Sequence, residues 1–335
     1  MRSYVQIDGG RVLAVRRRGT SDVRLMVRIA QLYYGMHLSQ AEIGGRLGLS
    51  RFQVGRLLDR AVEESIVRIE VVHPSARLVD LEDTLVERFR LRAAVVADVP
   101  AAAAGEEADD LARDAVAETA VDLLAKLRPE GTIAVSWGRT MLAVARRLPM
   151  GWTEADEIVQ LNGAASRSTQ PTRANEILER FAATSGATFR GLSAPAIVGS
   201  EELRDALMGD PAIRETVDVA RAAPTAVFGL GIPSADSPHL ASGFVDEDEQ
   251  ARLRAKGAVG DVIGRFLDAG GAIAWPKLDR RTVGLPLAQL ARKPFRMGVA
   301  AGTGRGPIAL AAIRAGVVNV LACDDSTAEW VLAHG

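Results

Sequence analysis

From residue 92 onward, short apolar runs recur between helix-like segments: AAVVAD (93–98), TIAVSW (132–137), EIVQLN (157–162), TAVFGL (225–230), RMGVAA (296–301) and VNVLAC (318–323). A strand buried on both faces needs such a continuous apolar run, and helices between strands supply parallel crossovers. The pattern predicts a Rossmann-like α/β domain built on a parallel sheet. Several runs end in glycine and a polar residue just before the next helix. Sheets of this kind bind ligands at the carboxyl ends of their strands, where helix N-termini offer N–H groups to anions.

The N-terminal part follows another rule. Residues 22–35 place Val23, Met26, Val27, Ile29, Ala30 and Tyr33 at helical spacing, with Asp22 as a cap. Ser39 caps a second helix, with Glu42 at the capping-box position. Gly48 suits the left-handed turn that ends this helix, and Gly44 gives a small residue where two helices cross. Ser50 opens a third helix that turns Val54, Leu57, Leu58 and Ala61 inward, and IVRIEVV (66–72) reads as a strand. Three helices and a strand fit a winged helix-turn-helix. In that motif the second helix of the pair enters the major groove. Ser50, Arg51, Phe52 and Gln53 would then reach base edges, with Arg56 one turn later. Arginine suits guanine and glutamine suits adenine, while an arginine further along more often holds phosphate.

Charge divides the chain at the same place. Residues 1–75 hold twelve arginines against seven acidic residues, +5, so with a net charge of −1 the remainder carries −6. A basic segment on an acidic body points to nucleic acid at one end only, although a solvated surface accounts for the charge equally well. Residues 76–90 align Leu78, Leu81, Leu85 and Phe89 on one helical stripe, which either pairs with a second copy or packs on its own body. The expected domains are a DNA-binding segment at 1–75, a linker helix at 76–91 and an effector domain at 92–335. No apolar run reaches the length of a membrane span and the N-terminus lacks a signal-peptide core, so no membrane partner and a cytoplasmic location are expected. Cys323 is the only cysteine, which excludes an intrachain disulfide.

Three loops carry candidate chemistry. Gly138-Arg139-Thr140 follows one strand and opens a helix, as a plain N-cap or a phosphate cradle. GTGRGP (302–307) sets Gly302 and Arg305 ahead of another helix, as a flexible connection or an anion clamp. GLGIPSADS (229–237) offers Ser234 and Asp236 to sugar hydroxyls, or is a solvated loop. Catalytic constellations are sparse. His37, His73, His239 and His334 are isolated in sequence and lack metal-ligand spacing, so neither a metal nor a cofactor is expected. Cys323 reads as a buried hydrophobe, Asp324 and Asp325 as helix caps, and Trp137 as core or as a sugar-stacking ring.

The ordered set LSQAEIGGRLGLSRFQVGRLLDRA, VSWGRTM, VQLNG, LSAPAIV, GLGIPS, GAVGDVIGRFLD, RRTVGLPLAQL and AAGTGRGPIALAAIRAGVVNVLACDDSTAEWVL resembles the SorC family of bacterial sugar-responsive transcription regulators. It covers nearly the whole chain, from about residue 22 to residue 332. The resemblance implies an effector domain related to phosphosugar isomerases and deaminases. That domain would bind a sugar, polyol or phosphosugar, assemble as a homo-oligomer, generally a tetramer, and change affinity for a pseudo-palindromic operator. By motif, Gly138, Arg139 and Thr140 match the effector phosphate loop, and Asp261 matches the acidic position near the sugar. Gly302 and Arg305 fall in the glycine-rich loop. Arg305 stands where lysine is common, and Ala301 where a second glycine is usual. The competing class is an isomerase- or deaminase-like enzyme with an appended DNA-binding domain. Asp261 would be its general base, and no histidine neighbours it in sequence.

Overall fold

A computed structural model describes residues 20–335 apart from 37, 65, 68–77, 100–104, 167, 169–170 and 234–236. The chain divides into two compact units between residues 73 and 74.

In the first unit, α1 (Thr20–Ala30) continues into a π-helical turn over Gln31–Gly35, followed by α2 (Gln40–Leu47) and α3 (Arg51–Glu63). Both capping boxes form. Ser39 pairs reciprocally with Glu42, and Ser50 with Gln53. Gly48 adopts φ 67°, and its N–H closes α2 on the Gly44 carbonyl. A side chain at Gly44 would meet the Leu49 carbonyl oxygen at 2.5 Å, so the turn's own backbone demands the glycine there. Met26, Ile29, Ile43, Val54, Leu58 and Ala61 are buried, whereas Val23 and Val27 are exposed. The helix-turn-helix is thus held by a small core on one side. All but two residues of the expected strand 66–72 lie outside the described residues.

The second unit opens with α4 (Val79–Phe89), β1 (Ala93–Ala97), α5 (Glu106–Leu127), β2 (Glu130–Val135), α6 (Arg139–Arg147) and β3 (Glu154–Gln160). It continues through α7 (Ala174–Ser185), β4 (Thr188–Arg190), α8 (Glu201–Gly209), α9 (Pro211–Ala222) and β5 (Thr225–Gly231). Two helices, α10 (Pro238–Ala241) and α11 (Glu247–Ala255), lead to the hairpin β6 (Ala258–Val262) and β7 (Arg265–Asp268). Then come α12 (Pro276–Asp279), α13 (Leu287–Leu290), β8 (Phe295–Ala300), α14 (Gly306–Arg314), β9 (Val320–Asp324) and α15 (Asp325–His334).

Seven strands run parallel in the order β1-β9-β8-β5-β2-β3-β4, and β6 leaves the end of β5 as an antiparallel ribbon with β7. Side-chain alternation splits each strand between two cores. Val95, Ile133 and Val135 pack with α5, α6 and α7, while Val96, Ala134 and Phe228 pack with α4, α14 and α15. Burial on both faces is why the six runs read as largely apolar segments rather than alternating ones. The sequence reading missed β4, β6 and β7. The first has three residues, and the other two interleave Gly260, Asp261 and Arg265 with their apolar positions.

The leucine stripe of α4 packs on its own unit. Leu85 is fully buried in the second core. The Leu78 N–H donates to the Val96 carbonyl, and the Val96 N–H donates to the buried Glu82 carboxylate at 3.0 Å. These bonds satisfy the outer edge of β1, which ends the sheet.

Candidate functional site

After β2 the chain steps toward β3, and after β5 it steps the other way, through the β6–β7 hairpin to β8. The neighbouring ends of β2 and β5 are therefore the switch point of this sheet, where a crevice must open. A cleft lies there. Its lining includes Gly138, Arg139, Thr140, Asp261 and Arg305, together with Arg113, Trp137, Asn162, Gly231 and His239.

Each element arrives for a local reason. The Gly229 N–H donates to the Ser136 hydroxyl at 3.2 Å, tying the two strand ends together. Gly138 adopts φ 133° and ψ 169° at the N-cap of α6, a conformation for glycine alone, and no side chain caps that helix. Its first-turn N–H groups are left for solvent or ligand. Trp137 donates from Nε1 to the Gly163 carbonyl at 2.9 Å and turns its ring against His239 and Phe244.

Asp261 enters on β6, opposite Gly231 in the ladder. A side chain at Gly231 would lie 2.1 Å from Asp261 Oδ1, so that glycine makes room for the carboxylate. Asp261 Oδ2 accepts from the Gly264 N–H at 2.9 Å and lies 3.0 Å from His239 Nε2. Burial alone would raise its pKa. The charge and hydrogen bond of His239, the Gly264 N–H and the Arg305 charge outweigh it and hold the carboxyl below its ordinary value. Arg305 donates to the Leu230 carbonyl at 3.0 Å, and its Nε has no partner. Burial lowers its pKa, while the charges of Asp109 and Asp261 act in the opposite direction. Asn162 Oδ1 and His239 Nδ1 are also buried without partners. Unpaired polar atoms cost about 1–3 kcal/mol each, and three of the five such side-chain atoms among the described residues belong to residues that line this cleft.

Five of the six residues expected at an effector site line this cleft. Gly302 stands outside its lining. Its N–H donates to Asp324 Oδ2 at 2.7 Å, and the next N–H, of Thr303, donates to Asp109 Oδ1 at 2.8 Å. The two leading amides of the glycine loop thus already hold carboxylates of the chain itself. Ser234 and Asp236 lie outside the described residues.

No histidine neighbours Asp261 in sequence, yet His239, 22 residues upstream, reaches it through the fold. Arg113, one helical turn beyond Asp109 on α5, also carried no sequence signal. Asn162 did, since it ends the expected strand 157–162. Asp324 caps α15 by accepting from the Thr327 N–H, and burial pushes the Cys323 thiol well up, as befits an inert packing residue. Among the described residues no cluster of three or more metal-ligating side chains occurs, and no helix is long and apolar enough to cross a membrane.

In the first unit, Arg51, Phe52 and Arg56 are exposed on α3. Ser50 and Gln53 are engaged with each other. Ser50 Oγ accepts from the Gln53 N–H, and Gln53 Oε1 accepts from the Ser50 N–H at 2.8 Å. A bidentate adenine contact by Gln53 would require that cap to open.

Comparison with known proteins places this arrangement. Residues 73–333 match the Sugar-bind family, described as "Putative sugar-binding domain". The chain is similar to the deoxyribonucleoside regulator of Bacillus subtilis, with 30% identity over 308 residues, 91% of this chain and 96% of that one. It is similar to the sorbitol operon regulator of Klebsiella pneumoniae, with 27% identity over 93% of this chain and 99% of that one. The crystal structure of the full-length sorbitol operon regulator SorC from Klebsiella pneumoniae superposes with a TM-score of 0.65 at 26% identity, covering 93% of this chain and all of that one. The chain belongs to the SorC/DeoR-type family of transcriptional regulators that carry this sugar-binding domain.

Proposed function

We propose that the protein regulates a carbohydrate-metabolism operon, reading operator DNA with α3 and sensing a phosphorylated sugar or polyol in the cleft between β2 and β5. One observation carries the effector reading. Arg113, Arg139 and Arg305 gather around the open N-terminus of α6, while Asp261, backed by His239, and Asn162 line the same cleft. A ligand with a phosphate at one end and hydroxyls at the other satisfies both sets.

In this reading residues 1–75 bind DNA, 76–91 link, and 92–335 bind effector and assemble the cytoplasmic protein as a tetramer. Effector binding shifts operator affinity through the differential affinity of two oligomer states for the ligand. Thermal shift against matched free and phosphorylated sugars and polyols tests the effector class. A ligand at 100 times its Kd adds about 2.7 kcal/mol of stability. Selective stabilisation by phosphorylated compounds supports the reading, and stabilisation by none of them refutes it.

A second reading is favoured by the His239–Asp261 pair, which has the composition of a proton-transfer dyad. Incubating the same compounds with the protein and following isomerisation by NMR separates the two. A sensor returns its ligand unchanged.

A further inference from the structure

On α3 the core-facing side is set by Val54, Leu58 and Ala61. At 100° per residue, Phe52 and Arg56 point almost directly away from that side. Phe52 is 82% exposed, the most exposed of the large hydrophobic residues described. A ring so placed adds almost nothing to the fold of its unit. The two polar neighbours that could read bases, Ser50 and Gln53, are occupied with each other in the capping box. The charges along the helix change in character: Arg51 and Arg56 stand in the first two turns, which hold no acidic residue, whereas the last two turns carry Asp59, Glu63 and Arg60, the last paired with Glu64 at 2.7 Å. Only the first two turns therefore suit a polyanion, and Phe52 lies between their two arginines.

The one methyl group on the major-groove edges of B-DNA, and the largest apolar group they offer, is the C5-methyl of thymine. We propose that Phe52 is a specificity residue that packs on a thymine methyl in each operator half-site, with Arg51 and Arg56 holding the helix against guanine or phosphate on either side. This rests on the reading of α3 as the recognition helix, and it goes further by naming the base and the atom group read.

The test uses the full-length protein and randomised duplexes in which the preferred motif is first selected. Each thymine of that motif is then replaced singly by deoxyuridine, which removes only the methyl. The expected result is one position per half-site where the replacement weakens binding about tenfold, the low end of a lost base contact. Phe52→Ala should bind thymine and uracil duplexes equally there, with nonspecific affinity and melting temperature unchanged. Phe52→Leu should keep part of the preference. Wild-type indifference to uracil at every position overturns the proposal, as does a Phe52→Ala variant that keeps the wild-type thymine preference. Failure to select any motif would instead remove the underlying DNA-reading assignment, and the two failures are distinguishable.

Discussion

His239 Nε2 lies 3.0 Å from Asp261 Oδ2, a pairing of two side chains that are each less than a tenth exposed. Together with the Gly264 N–H it fixes the carboxylate while leaving Oδ1 on the side of Gly231 and the cleft. His239→Ala should leave Asp261 buried with a single donor, costing about 1–3 kcal/mol in stability. The sign of the pH effect follows from the depressed carboxyl pKa. In the native protein this group contributes stability above the unfolded-state value, and that stability is lost as pH falls through the lower folded value. In His239→Ala the burial penalty dominates and lifts the folded value above the unfolded one, so the sign reverses: the variant's deficit against wild type should be largest near neutral pH and shrink as pH falls and the buried carboxylate takes up a proton. Urea unfolding between about pH 3 and 7 checks this, and parallel wild-type and variant curves would remove His239 as the group that holds Asp261 ionised.

Arg139 and Arg305 reach the cleft from opposite loops, one opening α6 and the other at the N-cap of α14. Either Arg→Ala change should weaken binding of a phosphorylated effector by about 10–100-fold, the size of a charge-assisted hydrogen bond. Operator affinity without effector should stay within about twofold of wild type. Titration calorimetry with the compound found by thermal shift, alongside a DNA-binding assay, reads both quantities.

The Thr303 N–H donates to Asp109, and the same carboxylate opposes the lowering of the Arg305 pKa. An internal anion thus sits beside the glycine loop and acts on the charge of Arg305, which lines the cleft. Asp109→Asn keeps the shape and removes the charge. Affinity for inorganic phosphate or a phosphorylated effector should rise, because a charge of the ligand's own sign is removed from beside Arg305. A fall instead would mean that Asp109 serves to brace the loop.

The sheet was legible because its strands are buried on both faces, and burial writes itself as largely apolar runs in six of the seven parallel strands. The helix-turn-helix was legible because caps and turn glycines act over three or four residues, as Ser39–Glu42 and Ser50–Gln53 do. Strand ends followed by glycine located Gly138, Arg139 and Arg305. His239 and the Asp109 contact were not legible, since their partners lie 22 and 194 residues away and no local rule links them, and Arg113 carries only a local ion pair with Asp110 to mark it. Phe52 was placed on the correct helix, but its isolation by the neighbouring cap is a property of side-chain geometry.

Lys293 offers the sharpest test of energetics outside the cleft. It is 3% exposed, and its Nζ donates to the carbonyls of Ala220, Arg221 and Ala223 at 2.5, 3.1 and 2.6 Å, closing the C-terminus of α9. Burial lowers its pKa from 10.5 to about 8. Between those values the unfolded chain holds a proton that the folded protein does not, so this group makes stability rise with pH over that window. A tenfold difference in proton affinity between the two states is worth about 1.36 kcal/mol, which bounds the full rise at roughly 3 kcal/mol. Lys293→Met should be less stable at pH 7.5, because three buried carbonyls lose their donor, and it should lack this rise. Urea unfolding of both proteins at several values between about pH 7.5 and 10 isolates the effect, since other titrating groups cancel in the difference. A constant difference across the range would mean that the amine keeps its proton well above pH 8, held by the three carbonyls.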